Sequence, residues 1–194
     1  MIRLYHSPRT RSSRVLWALE ETGLPYDLVK LTREERRSAD HRGLHPLGRV
    51  PVLEDSDGPI FESTALLFHV GELDPSGRLM PPSATRERAI VYQWSLFAVA
   101  EVEPWCVALG GIAKEDAEGD AIRAEAQPVI GVLEARLAGR EFVAADHFTV
   151  ADIAVSTVLR WARSNAIVTG HHRAITDYLE RTLSRPAAFV AYEA

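Results

Sequence analysis

Residues 4–21 place a polar turn between a strand-like start and a helix-like run. Leu4, Tyr5 and His6 lead into Ser7, Pro8, Arg9, Thr10 and Arg11. Ser12 and Ser13 then open a run through Val15, Leu16, Trp17, Ala18 and Leu19. Such a junction aims unbonded backbone N–H groups and the positive end of a helix at the loop, which favours an anion. A thiolate held there has a lowered pKa, and the hydroxyl of Thr10, Ser12 or Ser13 can donate to it. The same residues also read as a plain junction, with Ser12 only capping the helix and Thr10 only closing a turn. Phe61, Glu62, Ser63 and Thr64 give a second candidate. With Ser63 as N-cap, this helix start would hold a carboxylate, and Glu62 beside it an amine. Together they suit an amino-acid head group; the plainer reading is a capped helix with a surface acid. A third segment, His45-Pro46-Leu47-Gly48-Arg49-Val50-Pro51-Val52-Leu53, has proline just ahead of an apolar run. Proline in a sheet belongs at an edge or a strand's first residue. A cis bond before Pro51 would turn the Val50 backbone outward to pair with a peptide-like ligand, and a trans proline starting an edge strand is the commoner alternative.

Other chemistry is poorly supported. The seven histidines are scattered, with no His-Glu-x-x-His or similar spacing, so no metal site is expected. Cys106, the one cysteine, allows neither an internal disulfide nor a Cys-x-x-Cys motif, and fits a reducing compartment. A thioredoxin-type oxidoreductase fails because the N-terminal half has no cysteine. A formal net charge of −5 speaks against a nucleic-acid or membrane-surface partner. The longest uncharged apolar stretch, 89–100, falls short of the roughly 20 residues that span a bilayer. The chain opens directly on a strand-like run rather than a leader-like one, and a cytoplasmic protein is expected.

The elements that must position these residues follow from periodicity and breakers. Strands are expected at 2–6, 26–31, 50–54 and 59–61, with a hairpin at Asp57-Gly58. One helix runs from Ser12 to Thr22, ended by Gly23 with Pro25 beyond. Residues 33–42 read as a helix or irregular turn, and Ser63 opens another helix. The order βαβαββα is an α/β design. Pro75, Gly77, Pro81 and Pro82 mark a linker. Only helical patterns follow, at about 84–109, 117–138, 149–166 and 173–184, with a short piece after Pro186. Thr149 and Asp152 form a capping box with Phe148 and Ile153 as its staple, so that segment reads as structural. Trp94 and Phe97 share a helix face, either as core or as an apolar substrate wall.

Taken in order, these segments resemble the glutathione transferase superfamily across nearly the whole chain. The residues from Arg14 to Tyr26 resemble the family's first helix and its exit. The stretch 45–53 is similar to Asn-Pro-x-Gly-Lys-Val-Pro-x-Leu, 61–66 to Glu-Ser-x-Ala-Ile, 148–153 to the capping box of the helical domain, and 183–187 to an Arg-Pro step. The resemblance implies a thioredoxin-like βαβαββα domain over 1–77, a linker at 78–85 and an all-helical domain over 86–194. It implies glutathione as co-substrate and no metal, with Pro51 cis, the tripeptide on the Val50 backbone and its γ-glutamyl group on Glu62 and Ser63. Arg49 stands where a lysine often reaches the glycyl carboxylate. Aligned on Arg14-Val15, Arg11 falls at the cysteine of the bacterial beta class, which excludes that mechanism. Arg9 falls at the serine of zeta, phi and tau members, and Thr10 at the serine of theta-like and fungal-type members. Thr10 is therefore the expected hydroxyl donor and Ser12 the second choice, with Arg9 or Arg11 beside the thiolate. A small apolar electrophile would lie against Trp94, Trp105 and Trp161. The implied protein is a homodimeric, cytoplasmic detoxification transferase acting on an electrophile or peroxide; the alternative is a non-catalytic glutathione-binding or regulatory protein of the same fold.

Overall fold

A computed structural model describes residues 1–112 and 116–194. The elements in chain order are β1 (Ile2–His6), α1 (Ser12–Thr22), β2 (Tyr26–Lys30), a 3-10 turn (Glu35–Arg37), α2 (Ala39–Leu44), β3 (Val52–Asp55), β4 (Gly58–Phe61) and α3 (Ser63–Leu73). They continue with α4 (Arg86–Phe97), a π turn (Ala98–Val102), α5 (Glu103–Ala108), α6 (Ala117–Glu125), α7 (Gln127–Leu137), α8 (Val150–Ser164), α9 (Arg173–Leu183) and α10 (Pro186–Glu193). The chain divides into two compact units, Met1–Met80 with Arg185–Ala194, and Pro81–Ser184. The expected βαβαββα order of the first part is thus present, and helices make up the second.

In the first unit the sheet runs β2-β1-β3-β4. β1 pairs parallel with β2 and antiparallel with β3, and β3 pairs antiparallel with β4. The hairpin falls at Asp57-Gly58 as expected: Asp55 Oδ1 accepts the Asp57 N–H at 2.8 Å, and Gly58 takes φ +118°. Successive side chains on a strand alternate faces, so Leu4 and His6 share the buried face of β1. α1 buries Val15, Leu16, Trp17, Ala18 and Leu19 and ends at Gly23, which takes the left-handed φ of +65°. α3 packs on α1 and buries Leu66, Leu67 and Val70.

Several boundaries differ from expectation. Neither Ser12 nor Ser63 caps its helix; each is the first helical residue, and neither N-cap residue makes a side-chain capping bond. The helix expected over 84–109 is broken by the π turn ahead of Pro104, and the one over 117–138 breaks at Ala126 ahead of Pro128. A proline in a first turn suits a new helix but cannot continue an old one, since it lacks the N–H. Residues 74–80, where breakers cluster, are tied by the Asp74 carboxylate, which accepts the N–H groups of Ser76, Arg78 and Leu79 at 3.0 Å each. In the second unit α8 packs on α4, α5, α9 and the π turn. Its capping box is present, with the buried Asp152 carboxylate accepting Thr149 N–H at 2.9 Å, Val143 N–H at 2.8 Å and Tyr178 O–H at 3.0 Å.

The terminal helix belongs with the first unit, not with the helical domain assigned to it from sequence. α10 packs on α1, where Tyr192 meets the edge of the buried Trp17 ring at 6.2 Å between centroids. Arg185, just ahead of α10, donates through Nε and Nη2 to both oxygens of Glu21 at 2.6 Å. Trp17 Nε1 donates to the same carboxylate at 2.9 Å. This fork geometry is available to arginine and not to lysine. Arg185→Ala should therefore lower unfolding stability by about 1–3 kcal/mol, and Arg185→Lys should recover only part of it, as read by chemical denaturation. A loss no larger than that of a typical surface substitution would contradict the clamp.

Candidate active site

The turn between β1 and α1 is closed by a cluster of hydroxyl bonds. Ser12 Oγ lies 2.8 Å from His6 Nδ1, 2.7 Å from Thr10 Oγ1 and 3.2 Å from Ser7 O, and it accepts the Ser7 N–H at 3.1 Å. Thr10 Oγ1 donates to Ser7 O at 2.7 Å and accepts the Ser12 N–H at 3.3 Å. Ser12 and His6 are wholly buried, whereas Thr10 is half-buried at the surface of the turn. Burial, with Lys30 adding to it, pushes the His6 imidazole down to about 4, so the ring is neutral near pH 7. Arg9, between β1 and Thr10, has φ +59°.

The start of α3 forms the second half of the site. Glu62 carries φ +76° and is exposed, and its carbonyl accepts the Leu66 N–H at 3.0 Å. Arg9 and Glu62 are the non-glycine residues of the first unit with left-handed φ among those described, and they flank the two helix starts. Such conformations cost on the order of 1–3 kcal/mol each and cluster at functional sites. Arg14, buried in α1, brings Nη1 to 3.5 Å from Ser63 Oγ and so joins the two starts. The Val50–Pro51 bond is cis. The loop ahead of it is organised by His41 of α2 and His45 just beyond that helix. His41 Nε2 donates to the Arg49 carbonyl at 2.9 Å. His45 Nδ1 accepts the Leu47 N–H at 3.1 Å, and its ring lies 4.8 Å from that of Phe61. Burial lowers the His45 pKa, against the opposing charge of Glu62. Gly48 takes φ +59°, and a Cβ there would sit 2.5 Å from the Arg36 carbonyl oxygen, so glycine is required.

The sequence candidates thus separate. Thr10, Glu62 and Ser63 fall at two helix starts of one unit, and Val50-Pro51 leads into β3. Arg9, Arg11 and Arg49 are exposed. Ser12 is wholly buried and bonded within its own loop. Trp94 is 8% exposed and packed against Phe97 and the Arg136 guanidinium. Trp105 and Trp161, on α5 and α8, remain half-buried. The sequence reading gave no role to His6 or His41 beyond the search for a metal site, and otherwise took His45 only as the start of the segment ahead of Pro51. Among the described residues no cluster of three or more His, Cys, Asp or Glu could hold a metal ion, and no helix is long and apolar enough to cross a membrane. A cleft of about 670 Å³ beside α7 and α9 contains none of these candidates. Its Glu134 is spent accepting the N–H groups of Ala174 and Ile175 at the start of α9.

Comparison with known proteins agrees with this layout. Residues 1–72 match the glutathione S-transferase N-terminal domain, and residues 91–186 the C-terminal domain. Glutathione S-transferase 4 of Zea mays is 30% identical, over 91% of this chain and 84% of its own length. A sphingomonad glutathione S-transferase, solved in complex with glutathione, superposes with a TM-score of 0.87 at 27% identity, over 98% of this chain and 97% of its own. Elongation factor 1-gamma of Trypanosoma cruzi is 31% identical over 79% of this chain, which covers 38% of that protein. The chain belongs to the glutathione transferase superfamily.

Cys106, on α5, is wholly buried, and burial with the nearby Glu103 charge pushes its thiol up to about 12. Only the thiolate is nucleophilic. The folded protein should react with a disulfide reagent at pH 8 roughly a thousandfold more slowly than the unfolded chain. Comparable rates before and after denaturation would contradict the burial.

Proposed function

We propose that the protein binds glutathione in its first unit and activates the thiol for attack on a small electrophile or peroxide, with Thr10 Oγ1 donating to the thiolate. The observation that carries this reading is the meeting of two helix starts through Arg14 and Ser63, each flanked by a left-handed residue. Two positive helix ends suit a molecule that carries two anions a few bonds apart, here a carboxylate and a thiolate. The γ-glutamyl carboxylate goes to the start of α3 and Ser63, and its ammonium to Glu62. The Val50 backbone pairs with the cysteinyl residue, and Arg49 reaches the glycyl carboxylate. The sulfur then lies at the β1–α1 turn.

Thr10 is the donor because it is half-buried where the neighbouring hydroxyl residues Ser7, Ser12 and Ser13 are buried. The thiol proton leaves to solvent, and Thr10 stabilises the charge left on sulfur. A carbon–sulfur bond then forms as the leaving group departs with its electron pair. With a peroxide, the O–O bond is cleaved instead and a second glutathione completes the disulfide, releasing alcohol and water. Trp105 and Trp161 supply apolar surface for the electrophile. Cys106, inert by burial, takes no part, in keeping with a cytoplasmic setting. The protein acts as a homodimer in detoxification.

The likeness to elongation factor 1-gamma favours a second reading, a glutathione-binding module without turnover. Calorimetry and turnover assays separate the two. Glutathione should bind at millimolar concentration or below, and Glu62→Ala should weaken binding at least tenfold, roughly the value of one charged hydrogen bond. Conjugation of chlorodinitrobenzene or reduction of cumene hydroperoxide should be measurable. Thr10→Val should raise the pKa of the bound thiol by roughly 1–2 units, with glutathione affinity little changed. Absence of binding by folded protein removes the proposal; binding without turnover selects the second reading.

A further inference from the structure

His6 is a neutral, fully buried imidazole on the last residue of β1, and Nε2 is buried with no hydrogen-bond partner. Its other nitrogen touches Ser12 Oγ at 2.8 Å. A buried histidine used only for packing could be replaced by an apolar residue with less desolvation cost. The bonds around Ser12 say what the nitrogen does.

A hydroxyl has one hydrogen and two lone pairs. The Ser7 N–H takes one lone pair of Ser12 Oγ. Two arrangements remain. If Nε2 carried the ring proton, Nδ1 would accept from Ser12, and the last lone pair of Ser12 would draw in the Thr10 hydrogen. That arrangement also leaves an N–H buried without an acceptor, the rarer defect in folded proteins. If Nδ1 carries the proton, it donates to Ser12 and fills the second lone pair. The Ser12 hydrogen must then go outward, to Thr10 Oγ1 at 2.7 Å in preference to Ser7 O at 3.2 Å. Thr10 becomes an acceptor from Ser12, and its own hydrogen is directed away from Ser12.

We infer that His6 is a positioning residue: its Nδ1–H, through Ser12, turns the Thr10 hydrogen outward toward the site of the sulfur. The chain runs His6 Nδ1–H to Ser12 Oγ–H to Thr10 Oγ1–H, each link polarising the next. Within the turn, Thr10 then has Ser7 O as its remaining acceptor, at 2.7 Å, a bond it exchanges for a charged acceptor. No proton is transferred along the chain; only its direction is set. The inference rests on the proposed role of Thr10.

Nitrogen NMR of histidine-labelled wild-type protein, with glutathione added, reads the tautomer without any mutation. The expected result is a neutral His6 protonated at Nδ1; protonation at Nε2 overturns the inference. Variants supply the functional arm. His6→Leu removes the donor, and the bound-thiol pKa should rise by about one unit, with conjugation at neutral pH falling about tenfold and recovering at high pH. Glutathione affinity should stay within about twofold. His6→Asn places an amide N–H near the lost Nδ1–H and should restore the wild-type pH profile; equal loss in both variants would mean packing alone and overturn the inference. Thr10→Val keeps the two claims apart. An unchanged profile there removes the donor itself, whereas a shifted profile with an Nε2-protonated His6 removes only this inference.

Discussion

Ser12 Oγ sits at the point where β1 must end and α1 begin, bonded to His6, Ser7 and Thr10 at once. A strand entering a helix leaves backbone groups that neither element can satisfy. Here one buried hydroxyl takes the Ser7 N–H, while the N–H groups of Ser12, Ser13 and Arg14 go to Thr10 Oγ1, Thr10 O and Arg11 O, so the turn is closed from within. Buried polar networks are worth keeping only when they are satisfied. This one is satisfied except at His6 Nε2. The same closure holds Thr10 half-buried at the surface of the turn and ties it, through Ser12, to His6 on the strand.

The rest of the first unit holds α1 in place against that turn. Its apolar face is buried by α3 and α10, and burial of a side chain the size of Trp17 is worth on the order of 3–5 kcal/mol relative to alanine. The Glu21 carboxylate adds direction, since it receives Trp17 Nε1 from its own helix and Arg185 from beyond the second unit's sequence. The chain thus leaves the first unit, builds a helical unit around α8, and returns to complete the first. The buried Asp152, with its several donors, plays for α8 the part that Ser12 plays for α1.

Much of this was legible in the sequence. Gly23 and Pro25 end α1, and Asp57-Gly58 marks the hairpin, because left-handed φ and a missing N–H are properties of single residues. The capping box at Thr149 and Asp152 was equally local. The left-handed Arg9 and Glu62 left no trace, since neither residue type favours that conformation and only the surrounding fold enforces it. Ser12 and Ser63 misled for a related reason. A serine ahead of an apolar run signals a helix start, but whether it caps the helix or occupies its first turn depends on bonds made elsewhere. The prolines at 104 and 128 were visible as residues, yet a proline in an apolar run reads equally as a tolerated first-turn position. The place of α10 was out of reach of periodicity, which shows that a helix has an apolar face and not which element covers it. His6 carried no signal at all: its partner lies six residues on, across a turn.

The central claim, that Thr10 is the hydroxyl that meets the sulfur, is tested most directly by a crystal structure of the protein with glutathione bound. The account predicts the glutathione sulfur within hydrogen-bond reach of Thr10 Oγ1, with Ser12 Oγ still buried behind it on His6 Nδ1 and Ser7 N–H. A sulfur that meets Ser12, an arginine, or backbone amides alone, with Thr10 turned back on Ser7 O, would contradict it.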